Sequence, residues 1–341
     1  MRSGLRFRPP EVEFTPEVRW TLLRGFGPPE RTFEYAIDSA RVESVASLLD
    51  LAPRIGGRVA LTALQAELGE VGGRAPLVAN VLAGLVADEI VQCARLVAEV
   101  AASISVPIAF LKGVALQLCG VVAEGSRPLS DVDVLVPPRG ARELAEALEK
   151  VGFGSTGSPS QEHHLPPLRR GSTELVELHD RLLGVRLSRR RRYATLGEME
   201  ERGIIARVTE MPGACFVPNR ELLVAHALAH GLAQHGLPPG SYPLMRMLAD
   251  LVDLGLAGPD GAKLLEGAYP WLAGDVRREE ADATRALCVA LTSHDEALFA
   301  PRSVRPDAIL LRHVLAGAMD EGYRAATRLT GLWAAPSGHA R

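Results

Sequence analysis

The sequence predicts an α+β fold in which a small strand-bearing core lies between helical regions. Three observations carry that expectation. Apolar residues recur at helical spacing up to about residue 105, short apolar runs of strand length take over from Val106, and helical spacing returns after Asn219. The implied organisation is an N-terminal helical region with an irregular lead-in over 1–105, an α/β core over 106–217 and a C-terminal helical domain over 218–341.

Residues 1 to about 36 are rich in Pro and Arg, show no clean period and read as a loosely structured lead-in. From Tyr35 to about Ser105 the pattern is helical. Gly56–Gly57 and Gly72–Gly73 punctuate it, and an Ala-rich segment starts at Pro76, a favourable first helical residue. Val106 to Leu111 is strand-like, Val114 to Leu118 helical, and Val132 to Val136 strand-like again, closed by Pro137–Pro138. Arg139 to Val151 reads as an amphipathic helix with Gly152 past its end. Glu162–Arg170 and Thr173–Leu178 flank Gly171–Ser172 and predict an antiparallel hairpin. A last β-like piece spans Ala206 to Val217; helices are then expected near 220–235, 243–255, 261–272, 278–299 and 306–333, with Asn219 as N-cap.

Composition narrows the function classes. Hydrophobic residues make up 47% and charged residues 23%, a balance that excludes a disordered or fibrous chain. The net charge of −3 offers no global basic field for nucleic acid or an anionic membrane. Cys93, Cys119, Cys215 and Cys288 lie far apart with no CxxC pair, which suits a reducing compartment better than a disulfide framework. Met1 to Trp20 lacks the apolar run of a secretory signal. The longest apolar stretch, Val78–Ala87, falls short of the roughly 18 residues of a membrane span. A cytoplasmic protein is therefore expected. Cations are nearly all arginine, with lysine only at Lys112, Lys150 and Lys263.

The chemically unusual segment is Leu111-Lys112-Gly113, followed by Arg127 and then Ser130-Asp131-Val132-Asp133-Val134-Leu135-Val136. Alternation along a strand sends Asp131 and Asp133 to one face, about 6.5 Å apart, and the valines to the other. Two like charges on one face repel unless cations sit between them. Hard divalent ions such as Mg²⁺ take carboxylate oxygens together with substrate phosphates. A paired-ion site, with ions roughly 3.5–4 Å apart, would clamp the attacking and leaving oxygens of a phosphoryl displacement. Glu177, in Glu174-Leu175-Val176-Glu177-Leu178-His179, shares a face with His179 and is the candidate third carboxylate.

The run LKG…R…SDVDVLV, the helix ending in Gly152–Phe153, the later VELH, and the helical segments His226–His230 and Leu248–Leu251 resemble the bacterial nucleotidyltransferase-like family of the polymerase-β-type superfamily, over roughly 106–255. The resemblance implies a small mixed β-sheet nucleotidyltransferase core with helical regions on both sides. It further implies transfer of a nucleoside monophosphate from an NTP, ATP foremost, to a hydroxyl-bearing acceptor. Pyrophosphate would be released, and Mg²⁺, as two ions, would assist. Carried onto this chain, the catalytic residues are Asp131 and Asp133, which would hold metal, and Glu177, which would hold metal or activate the acceptor hydroxyl. Gly113 would let the backbone approach the triphosphate. Read from the residues themselves, Lys112, Arg127 and His179 are the further candidates for contact with the nucleotide. The chain departs from the superfamily pattern in having Val114 rather than a second small residue after Gly113, and 17 residues between Gly113 and Asp131.

Other readings compete with these. Asp131 and Asp133 could form a solvated turn capped by Ser130; Glu177 could pair with an arginine; Lys112 could snorkel from an apolar strand end. Arg127 could pair with Asp131, and His179 could be a structural strand histidine or orient a carboxylate. His226 and His230 have i,i+4 spacing, but Ala227 stands where a zinc protease has glutamate, so packing is the better reading. His163–His164 have no assigned role. Arg189–Arg192 form the densest basic run, a solvated surface or a lip for an anionic acceptor, without the aromatic residues that single-stranded nucleic acid would need. The acceptor is a small molecule or a peptide or protein. Two alternatives stand beside the transferase: a degenerate module that binds nucleotide without turnover, and an antibiotic-adenylylating enzyme.

Overall fold

A computed structural model describes residues 12–26, 51, 62–63, 75–122, 127, 129–157, 164–182, 184–186, 194–234, 243–274, 276–300 and 303–319. Most of the helical pattern expected between 35 and 74, with both glycine pairs, lies outside the described residues. So do His163, Arg189–Arg192 and the tail of the last helix beyond Met319. The chain divides into two compact units. One comprises Met1–Leu82, His230–Leu265 and Asp275–Arg341; the other comprises Ala83–Ala229 and Glu266–Gly274.

The first unit contains helix α1 (Pro16–Phe26), where the sequence had suggested a loose lead-in. Its start is capped, because the Thr15 hydroxyl accepts a hydrogen bond from the Val18 amide at 3.3 Å, and Pro16 is pre-set for the first helical position. Val18, Trp20, Leu22, Leu23 and Phe26 are buried, each contributing about 1.5–3 kcal/mol of transfer free energy. The Thr-Pro-Glu signal lay in the sequence, masked by the surrounding Pro/Arg bias.

The second unit starts within α2 (Ala75–Ser103), the Ala-rich helix that begins one residue before Pro76. Within it Ala87, Ile90, Ala94, Val97 and Ala101 are buried at three- and four-residue intervals, a single apolar stripe. Strand β1 (Ile108–Phe110) follows, all three residues buried, and then α3 (Lys112–Leu118) and β2 (Val132–Leu135). Helix α4 (Pro138–Lys150) starts on a proline and buries Ala141, Leu144 and Leu148, and Gly152 just beyond it adopts φ +98°.

Strands β3 (Gly154–Ser155), β4 (Leu168–Arg170) and β5 (Glu174–His179) come next, with Gly171 at φ +64° in the β4–β5 turn. Short helix α5 (Leu196–Glu201) opens on a Thr195/Glu198 capping box, ahead of β6 (Ile205–Arg207) and β7 (Cys215–Pro218). Helix α6 (Arg220–Leu228) begins at Asn219, whose side chain accepts from the Leu222 amide at 3.0 Å. The winding becomes π-helical over Ala229–Gln234.

The seven strands form one mixed sheet in the order β3-β4-β5-β2-β1-β7-β6. β1 runs antiparallel to β2 and parallel to β7, and β2 runs parallel to β5. β1 and β2 are buried along their whole length, and β5 buries Val176, Leu178 and His179. The expected α+β class is the observed one.

Beyond α6 the helices are α7 (Pro243–Asp253), α8 (Gly261–Ala268), α9 (Arg278–Ser293) and α10 (Pro306–Met319). In the first unit α1 packs on α9, and α9 on both α7 and α10. No helix of the described residues is long and apolar enough to cross a membrane.

Candidate active site

The register of the central strands assembles the site. β2 and β5 are aligned so that Asp133 lies opposite Glu177 and Leu135 opposite His179. Aligned partners in neighbouring strands share a face, so Asp133, Glu177 and His179 project to the same side. Val132, Val134, Val176 and Leu178 fill the opposite side, all buried. β1 runs antiparallel to β2, and the Leu111 amide donates to the Asp133 carbonyl at 3.0 Å. The end of β1 therefore arrives beside Asp133. There Lys112 takes φ +47°, a left-handed conformation that costs a non-glycine residue about 1–2 kcal/mol, and the chain turns directly into α3.

The Lys112 ammonium donates to Asp133 Oδ1 at 2.6 Å and lies 4.0 Å from Glu177 Oε2. His179 Nε2 stands 2.9 Å from the same Asp133 oxygen and 3.7 Å from Glu177 Oε2. An ionised carboxylate only accepts, so Nε2 carries the proton and donates. Asp133 is 1% exposed, an environment that would strip an unpaired carboxylate of several kcal/mol of hydration. Burial alone would raise its pKa. The Lys112 charge and the His179 hydrogen bond outweigh burial and hold the carboxyl well below the usual range.

The converse holds for the two cationic partners. Burial opposes the charge on Lys112, yet Asp133, Asp131 and Glu177 raise its pKa. Burial likewise opposes charge on His179, and the hydrogen bonds to Asp133 and Glu177 raise it.

Asp131 precedes β2 by one residue and accepts from the Ser130 hydroxyl at 3.0 Å. Burial and the charge of Asp133 push its pKa up, Glu177 adds to this, and Lys112 pulls it down, so Asp131 feels the same cluster. Among the described residues, the metal-competent atoms that converge, all within 4.8 Å of one another, belong to Asp133, Glu177 and His179. The structure thus brings two of the three expected carboxylates together, adds the histidine on the Glu177 face, and leaves Asp131 beside them.

Gly113 and Arg127 are neighbours. A β-carbon on Gly113 would fall 2.1 Å from Arg127 Nη1 and 2.5 Å from Leu129 Cδ2, so the guanidinium lies against the glycine backbone. Gly113 serves close approach, and the group that approaches it here is Arg127.

His164, to which the sequence assigned nothing, is buried and meets the His179 ring edge-on at 5.5 Å between centroids. Its Nδ1 donates to the Leu165 carbonyl at 2.7 Å. No spacing rule links residues 164 and 179; only the antiparallel bridge between them does. His226 is buried in α6, and His230 falls in the π-wound turn that follows.

A mixed β-sheet core is the fold that the sequence resemblance implied. The family described as "Uncharacterised nucleotidyltransferase" matches residues 84–260, more than half of the chain, and the chain belongs to that family. Comparison with curated proteins and with solved structures returns no match.

Proposed function

We propose that the chain is a Mg²⁺-dependent nucleotidyltransferase, moving a nucleoside monophosphate from an NTP, ATP foremost, to a hydroxyl-bearing acceptor with release of pyrophosphate. The observation that carries the reading is the in-register pair Asp133 and Glu177 with the Lys112 ammonium within reach of both, in a chain of nucleotidyltransferase family. That ammonium is a stand-in cation: the pair already accommodates positive charge. Its oxygen donors suit a hard divalent ion. Asp133 and Glu177, with Asp131 beside them, are the residues that would hold Mg²⁺. When bound, the ion would supply Lewis-acid stabilisation of charge on the phosphoryl oxygens.

The chain's own groups do the rest. Lys112 and Arg127, flanking Gly113, offset triphosphate charge. Glu177, the more exposed carboxylate of the pair, accepts the proton of the acceptor hydroxyl as its oxygen attacks the α-phosphorus; the bond to the β,γ-unit breaks and pyrophosphate leaves with the electron pair. His179 donates to Asp133 and fixes that carboxylate's orientation, steadied in turn by the His164 ring. Catalysis is chiefly positioning. The acceptor is a small molecule or a peptide or protein, and the location cytoplasmic, a reading supported by four free cysteines.

The test is incubation with α-labelled NTPs, Mg²⁺ and an acceptor panel that includes aminoglycosides, other hydroxyl compounds and peptides. Wild type is expected to transfer label, and Glu177→Gln to lose roughly 10²–10⁴-fold. Background turnover indistinguishable from Asp131→Ala and Asp133→Ala across the panel overturns the proposal. The close cover of Gly113 by Arg127 and Leu129 favours a second reading, a module that binds nucleotide without turnover. Calorimetric NTP binding without pyrophosphate release would select it.

A further inference from the structure

Lys112 combines three properties that a simple structural lysine does not need together. Its backbone is held in the left-handed region at the turn between β1 and α3. Its ammonium is engaged by Asp133 and stands near Glu177. Its side chain as a whole is nonetheless 21% exposed, so it is not fully enclosed by its neighbours. The position between these two carboxylates is also where a divalent ion would be gripped. An ammonium and a divalent ion there would compete for the same oxygens and repel one another. The lysine stem is flexible and its head a compact charge, so it can leave the carboxylates for another anion without moving the backbone.

We infer that Lys112 is a resident counter-cation of the Asp133/Glu177 pair, yielding that place to a divalent ion when a triphosphate draws its ammonium outward. The inference rests on the nucleotidyltransferase reading of this site and adds its regulation. The ion by itself binds weakly because it must displace Lys112; nucleotide removes that competition, and linkage makes the coupling reciprocal. Without a triphosphate the cluster stays neutralised by the chain's own cation, so the site is not assembled by metal alone.

The experiment is calorimetric titration of Mn²⁺ into wild type, Lys112→Met, Lys112→Gln and Asp133→Asn, each with and without a non-hydrolysable ATP analogue. Without nucleotide, both Lys112 variants are expected to bind Mn²⁺ about tenfold tighter than wild type, equivalent to ~1.4 kcal/mol. The analogue should tighten Mn²⁺ binding in wild type and do so about tenfold less in the variants. Equal or weaker Mn²⁺ binding by the Lys112 variants, while Asp133→Asn abolishes it, overturns this inference and leaves the site reading intact. Mn²⁺ binding that is absent from wild type even with the analogue present, or unchanged in Asp133→Asn, overturns the site reading and the inference with it.

A measurement on wild type keeps the idea testable should the variants misfold. The chain has three lysines, and Lys150 and Lys263 are exposed. Lysine labelled with ¹³C at Cε gives three NMR signals, of which Lys150→Arg and Lys263→Arg identify two. The remaining Lys112 signal should shift on adding the Mg²⁺ complex of the analogue; its staying fixed at saturation overturns the inference.

Discussion

Lys112 and Gly113 show how much two adjacent residues can carry and how differently each is read. The Lys-Gly pair is visible in the sequence, but that the lysine rather than the glycine holds the left-handed backbone is not, because φ at the turn is set by where β1 stops and α3 starts. Lys112→Gly and Lys112→Ala both remove the ammonium, so their difference isolates the backbone. The glycine variant is expected to be about 1 kcal/mol more stable in urea denaturation. At Gly113 the constraint is space. Gly113→Ala drives a methyl group into Arg127 and Leu129 and should cost about 1–3 kcal/mol by thermal denaturation. Adding Arg127→Ala should restore part of the loss, leaving the share due to Leu129.

At the scale of elements, the β4–β5 hairpin was legible from the two segments that flank Gly171–Ser172, and its cross-strand tie was not. Arg170 and Glu174 are aligned partners joined by two hydrogen bonds of 2.7 and 2.6 Å, and the guanidinium also lies 5.2 Å from the Phe153 ring centroid. The Arg170 hydrogen bond lowers the Glu174 pKa against the opposing effect of burial. A depressed carboxylate stabilises the fold above its unfolded pKa, about 4.3, and loses that contribution as pH falls through the lowered folded value. Because Arg170 is 37% exposed, the pair's worth is discounted to at most about 1 kcal/mol. Glu174→Gln should therefore be less stable than wild type at pH 7 by that amount, and the two stability curves should begin to converge as pH falls below about 4.3 and meet beneath the lowered folded value in a denaturation series. Helix α1 teaches the opposite lesson: its cap and its buried face were both written in residues 15–26, and the Pro/Arg-rich surroundings hid them.

For the molecule as a whole, the cysteines report which parts are closed. Cys93, Cys215 and Cys288 are buried and Cys119 is exposed, and no pair is joined. Burial pushes the thiols of Cys93 and Cys288 up to about 12 and that of Cys215 up to about 11. The thiolate is the reactive form, so these three should be inert near neutral pH. Titration with a chromogenic disulfide reagent at pH 7.5 is expected to count one thiol in the native protein and four in guanidinium. Fast reaction of two or more native thiols would mean that the cores containing Cys93, Cys215 and Cys288 open more readily than their burial implies.

The sequence by itself determined the order of the elements that carry the site, from β1 through β2 and α4 to β5, the strand alternation that separates Asp133 from Val132 and Val134, and the carboxylate on β5, because these depend on local periodicity. It could not determine that Asp133 and Glu177 stand in register, that His179 rather than Asp131 joins their tight group, or that Lys112 and Arg127 close on Asp133 and Gly113. The strand contacts depend on how β2 and β5 are aligned, and a shift of one residue would have sent Glu177 and His179 to the other face; Lys112 and Arg127 are placed by the segments that connect the strands.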